Sequence, residues 1–137
     1  MAQQVFEGQG KVRSPWNSAT NEKFFIGLKN KLGFKDNVEL TQFYFVVGLI
    51  HSQKQNKPVE AQNHAMKEVC NIYSFPKKEF YDNIVVNYLD VKEGVRDEFE
   101  TYQKIGMEFL QKWNNDVGQD CTSPLDRFCS IWDELGL

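Results

Sequence analysis

The chain has 137 residues, of which 41% are hydrophobic, 14% aromatic and 26% charged. It is too apolar and aromatic for a disordered segment, too short for an ordinary two-domain protein, and without any run approaching the ~18 apolar residues of a membrane span. The formal net charge of −3 hides an uneven distribution, about +5 over residues 1–78 and −8 over residues 79–137.

The 11 Phe, 5 Tyr and 3 Trp predict a dense aromatic core. The stretch Met1–Gly10 lacks the apolar run of a secretory leader. The three cysteines, Cys70, Cys121 and Cys129, are an odd number without metal-ligand spacing, which points to reduced thiols and a cytoplasmic protein.

Residues 1–19 read as an irregular, locally basic arm punctuated by Gly8, Gly10, Ser14 and Pro15. Val5, Phe6, Val12 and Trp16 could pin it to the body or make an edge strand. A single helical domain is expected over 20–137. Its first helix, about 20–32, has Thr20 as N-cap, an inner row of Phe24, Phe25, Leu28 and Leu32, and Gly33 as the stop. The second, about 37–53, follows an Asp36/Glu39 capping box and is apolar on every side from Phe43 to Ile50. A helix of that kind must be wrapped by others.

After a polar connector at 51–58, the spacing of Ala61, Ala65, Met66, Val69, Ile72 and Tyr73 predicts a third helix over 59–74, ended by Pro76. A fourth, about 77–92, would face inward through Phe80, Ile84, Val85, Tyr88 and Leu89, with Gly94 beyond it. A fifth, about 95–115, sets Val95, Phe99, Tyr102, Ile105, Phe109 and Trp113 against charged residues on its other side. The last, about 123–135, begins with Ser123 and Pro124, and Leu125, Phe128, Cys129, Trp132 and Leu135 are read as its inner face. The expected fold is therefore all-α, a single-domain bundle of about six helices around the buried 37–53 helix.

No catalytic constellation emerges. The two histidines, His51 and His64, have no nucleophile signature near them. Glu60, His64 and Glu68 would align at i, i+4 and i+8 if 59–74 were helical, a row that could ligate a metal but is more simply a solvated face. Gly8 and Gly10 lack the third glycine of a dinucleotide-binding turn. No cofactor and no metal are expected, and the chain reads as non-enzymatic.

The charge split carries the functional expectation. An acidic strip of Asp97, Glu98, Glu100 and Glu108 would meet a basic protein partner. The alternative is nucleic-acid binding by the basic first half, through Lys11, Arg13, Lys29, Lys31, Lys54 and Lys57. Lysines would make that contact backbone-driven and salt-sensitive. No membrane contact is expected. Exposed aromatics such as Trp16 or Trp113 would mark a homo-oligomer patch.

Residues 34–59 read Phe34-Lys35-Asp36, an apolar helix through Phe43, Val47, Gly48 and Leu49, then Lys54, Lys57, Pro58 and Val59. This stretch resembles small accessory proteins of bacterial DNA phosphorothioation systems, which carry a short capped apolar helix ending near a glycine, then a basic stretch and a proline. Where such members show arginine in the basic stretch, this chain has Gln53, Gln55 and Asn56. The resemblance implies a role around bacterial or phage DNA defence or counter-defence and identifies no catalytic residue.

Overall fold

The computed structural model describes residues 11–55, 59–71 and 74–137. Five α-helices dominate the described residues, α1 (Ala19–Leu32), α2 (Asn37–Gln53), α3 (Lys78–Asp82), α4 (Val95–Asp116) and α5 (Pro124–Leu135), with one small antiparallel pair, β1 (Lys11–Ser14) and β2 (Lys67–Asn71). The mostly all-α expectation holds.

Local chemistry explains several helix ends. The Ser18 hydroxyl, not Thr20, caps α1 by accepting from the Asn21 N–H. The Asp36/Glu39 capping box is complete, each side chain accepting from the other residue's backbone N–H. Ser123 caps α5 ahead of Pro124. Gly33, at φ 78°, closes α1 in the left-handed region that glycine enters without a Cβ clash.

Helix α2 is enclosed as expected, with Leu40, Tyr44, Phe45 and Val47 fully buried and no residue from Val38 to Ile50 exposed. Its most extensive partner is α4. The two helices touch backbone to backbone at Gly48 and Gly106. A Cβ on Gly48 would stand 1.8 Å from the Tyr102 carbonyl oxygen, and one on Gly106 would stand 1.9 Å from that of Tyr44. Each helix thus brings a tyrosine and a glycine four residues apart to the crossing.

One core cluster, around Trp16, Phe25, Leu28, Tyr44, Leu110 and Trp113, joins α1, α2, α4 and α5. The other, around Val12, Phe45, Phe75, Tyr81, Val85 and Phe99, lies under β1 and α3. Trp16 and Trp113 are therefore buried, and neither is the exposed aromatic that would mark an oligomer patch.

The third helix does not form. Residues 59–66 form no helix or strand, and β2 pairs with β1 in register Lys11↔Asn71, Val12↔Cys70, Arg13↔Glu68 and Ser14↔Lys67, with a bulge beside Val12/Arg13. The Trp16 indole N–H donates to the Lys67 carbonyl at 3.1 Å, and the Lys67 ammonium lies 4.9 Å from the Trp16 ring centre. Non-local pairing thus overrides a local helical spacing, and the arm is a strand from residue 11. Its earlier landmarks Val5, Phe6, Gly8 and Gly10 lie outside the described residues, as do Ile72 and Tyr73.

The fourth helix is short and changes pitch. After α3 the chain forms a π-helical turn, Asn83–Tyr88, with the Leu89 N–H donating to the Ile84 carbonyl at 2.9 Å. Bonding at i→i+5 adds a residue to the turn and shifts the side-chain phase. Tyr81, in α3, takes a core place, while Phe80 and Tyr88 are 56% and 68% exposed, contrary to the expected inner row. In α5, Leu125 and Cys129 are likewise exposed, and Ile131 is fully buried with Leu135 below it.

Tyr44 is fully buried, and its hydroxyl has no hydrogen-bond partner among the described residues. Burial pushes its pKa well up. Because an unpaired buried hydroxyl costs about 1–3 kcal/mol, Tyr44→Phe is expected to leave stability unchanged or raise it by about 1 kcal/mol. Urea denaturation measures this, and a loss above about 1 kcal/mol would reveal a partner for that hydroxyl.

Candidate functional site

The structure separates the residues expected to act together. Of the acidic strip, Asp97 is exposed and Glu98 half-buried in the first turn of α4. Glu100 is only 5% exposed and holds Arg13 through a two-pronged ion pair, Nε–Oε2 at 2.9 Å and Nη2–Oε1 at 2.7 Å. That hydrogen bonding raises the already high pKa of Arg13. Next to the pair, Ser14 Oγ donates to Gln103 Oε1 at 2.7 Å, and Gln103 Nε2 donates to the Arg13 carbonyl at 2.9 Å. Glu100 and Arg13 are thus a clamp of β1 on α4, and neither is a free contact for a partner or a nucleic acid.

Other cations are engaged as well. Lys29 donates to Asn37 Oδ1 at 3.2 Å. Lys54 donates to the Gly136 carbonyl at 2.8 Å, where it complements the C-terminal end of α5. Lys11 and Lys31 remain exposed, and Lys57 lies outside the described residues. The basic set is therefore not brought together as one surface.

Glu60, His64 and Glu68 do not share a helix face, because residues 59–66 form no helix and Glu68 lies in β2. No group of three His, Cys, Asp or Glu side chains among the described residues could hold a metal ion. His64 instead sits in a chain of polar contacts. Gln111 Nε2 donates to Asn21 Oδ1 at 3.0 Å, Asn21 Nδ2 lies 3.2 Å from His64 Nδ1, and His64 Nε2 lies 2.7 Å from Glu108 Oε2. The same carboxylate oxygen accepts from the Gln62 N–H at 2.8 Å. With both ring nitrogens engaged, His64 has none to offer a substrate as a general base. The network anchors this irregular connector to α1 and α4.

Two adjoining clefts then remain along α4, one of about 490 Å³ and one of about 240 Å³. They share Val59 and Ile105. The larger lies between the end of α2, α4 and the end of α5, with Ile105, Phe109 and Leu135 as apolar lining and Glu60, Glu108 and Glu134 as acids. The smaller adds Glu98 and Tyr102. Lys112 is the one lysine or arginine among the described lining residues, and it is paired with Asp116 at 3.0 Å. His51 also lines the larger cleft, with its ring centre 4.8 Å from that of Phe109; burial lowers its pKa.

Two of the four acids expected at a partner surface, Glu98 and Glu108, thus lie along one groove, with Glu60 and Glu134 added. The sequence reading missed Glu134 because a charge near the end of an amphipathic helix has no local mark of a cleft. Comparison with family models, curated proteins and solved structures finds no match for this chain. Among the described residues, no helix is long and apolar enough to cross a membrane.

Proposed function

We infer that this protein is a non-enzymatic interaction module that takes a basic segment of a protein partner in the groove along α4. The observation that carries this reading is the lining of the two joined clefts: Glu60, Glu98, Glu108 and Glu134 around the apolar surface of Val59, Ile105, Phe109 and Leu135. Apolar lining with acidic edges suits lysine or arginine side chains, whose long stems pack on apolar groups while their charged ends reach carboxylates. Charge of this kind acts mainly on encounter rate and on the choice of partner. The resemblance of residues 34–59 would place such an interaction around bacterial or phage DNA defence, and the groove reading does not rest on it.

The test is co-purification at low salt followed by mass measurement of the assembly, then kinetics with Glu60→Lys, Glu98→Lys and Glu134→Lys combined. The triple variant is expected to slow association at least about tenfold at low salt, with an unchanged melting temperature, because steering by complementary charge spans one to three decades of rate. Recovery of no partner, or an association rate indifferent to the charge reversal, defeats the reading.

A further inference from the structure

On the opposite side of the charge balance, α1 carries a groove of about 500 Å³ lined by Thr20, Lys23, Phe24, Gly27, Leu28, Lys31 and Asn114. No carboxylate is among these residues. Lys23, Gly27 and Lys31 stand at i, i+4 and i+8, so they form one row, with the two lysines roughly 12 Å apart along the axis. Ile26, three residues after Lys23, is 44% exposed on the neighbouring ridge.

Gly27 is the informative residue. Glycine is a poorer helix former than alanine, so a glycine in mid-helix calls for a reason. Gly48 and Gly106 have one in the touching backbones of α2 and α4. Gly27 has no left-handed φ, and apart from its chain neighbours and the backbone of its own helix no atom lies within 4 Å of where its Cβ would be. Nothing in the described chain needs the missing side chain, and what its absence creates is an open approach to the α1 backbone between two lysines.

We propose that the Lys23-Gly27-Lys31 row of α1 is a docking site for an acidic amphipathic helix of a partner protein. The incoming helix brings a small residue against Gly27, as α2 and α4 do to each other, and sets Asp or Glu side chains about two turns apart against Lys23 and Lys31. Charge complementarity selects this occupant. A second copy meeting this row with its own row about a two-fold axis would bring lysine to lysine. A nucleic acid would find two lysines in the groove lining itself, beside the half-buried Phe24, and the arginine nearest the row, Arg127, already donates to the Lys31 and Cys121 carbonyls. The site is separate from the acidic groove and does not depend on it.

The experiment is selection of phage-displayed helical peptides on the full chain at low salt, with the enriched peptides then measured against variants. Enriched peptides are expected to carry Asp or Glu on both sides of a small residue at about two-turn spacing. Gly27→Leu is expected to weaken them at least tenfold, and Lys23→Glu with Lys31→Glu to shift preference to lysine-bearing counterparts. The melting temperature of Gly27→Ala should match or exceed that of the parent, which separates lost docking from lost folding. Glu60→Lys and Glu134→Lys should leave this binding unchanged, so its outcome is independent of the α4 groove. Enrichment of neutral or basic peptides, no enrichment, or affinity indifferent to Gly27→Leu overturns the proposal. So does a result in which the same variants abolish duplex DNA binding or a dimer while peptide binding is absent.

Discussion

Gly48→Ala and Gly106→Ala are each expected to lower the unfolding free energy by about 3 kcal/mol or more, and either can prevent folding at 37 °C. The added methyl group would meet a backbone carbonyl under 2 Å away in both cases. A carbonyl inside a helix cannot swing aside as a side-chain tip can, so the whole α2–α4 contact must widen. Widening loosens the cores on both sides, where Tyr44, Val47, Met107 and Leu110 meet in one and Phe45 and Phe99 stack at 4.7 Å in the other. Gly27→Ala is the control within the same protein. It sits in open space and is expected to stabilise by roughly 0.5–1 kcal/mol, the ordinary gain of alanine over glycine in a helix. Because the first two substitutions disturb one contact, their double variant should cost less than the sum of the singles. Urea denaturation of all four proteins measures these effects. A cost below about 1 kcal/mol at Gly48 would mean that the backbones do not touch.

Arg13→Ala is expected to cost about 2–4 kcal/mol, because it leaves a buried, ionised carboxylate without its partner. The two partners differ in exposure. The Glu100 side chain is 6% exposed and that of Arg13 is 43% exposed. Glu100→Gln should therefore cost less than Arg13→Ala, since an arginine that loses its partner can turn to water. The pair need not stabilise the fold in absolute terms. Replacing both residues by leucine is expected to recover most of the loss from Arg13→Ala, as buried ion pairs often exchange for apolar groups at little net cost. Hydrogen exchange at Val12 and Cys70, which face each other across β1 and β2, reports whether the strand pair opens when the clamp is removed. Equal costs for Arg13→Ala and Glu100→Gln would remove the argument from exposure.

These results share an origin with the places where sequence and structure part. The Tyr44/Gly48 and Tyr102/Gly106 spacings are both visible in the chain, yet nothing local tells which glycine meets which. Glu100 belongs by spacing to the charged side of α4, among Asp97, Glu98, Lys104 and Glu108. It is buried because β1, which begins 89 residues earlier at Lys11, brings Arg13 across that side. The candidate acidic surface was legible as a list of carboxylates, and its division into a clamp, a histidine anchor and a groove was not. The α1 groove was not read from the sequence at all, because nothing local distinguishes Gly27 from a glycine that packs against a neighbour.

The spans of helices α1, α2, α4 and α5 can be read from the chain, because the Asp36 and Ser123 caps, the Gly33 stop and the runs of apolar residues are properties of neighbouring residues, while the Ser18 cap and the buried face of α5 were not. Enclosure of the Val38–Ile50 segment also follows, since a rod apolar all round has no side to give to water. The non-helical course of residues 59–71, the altered pitch after Asp82 and the fates of Glu100, His64 and Gly27 came from folding alone. Each depends on groups far apart in sequence, and the free energy of such a contact exists only once the fold has brought both members together.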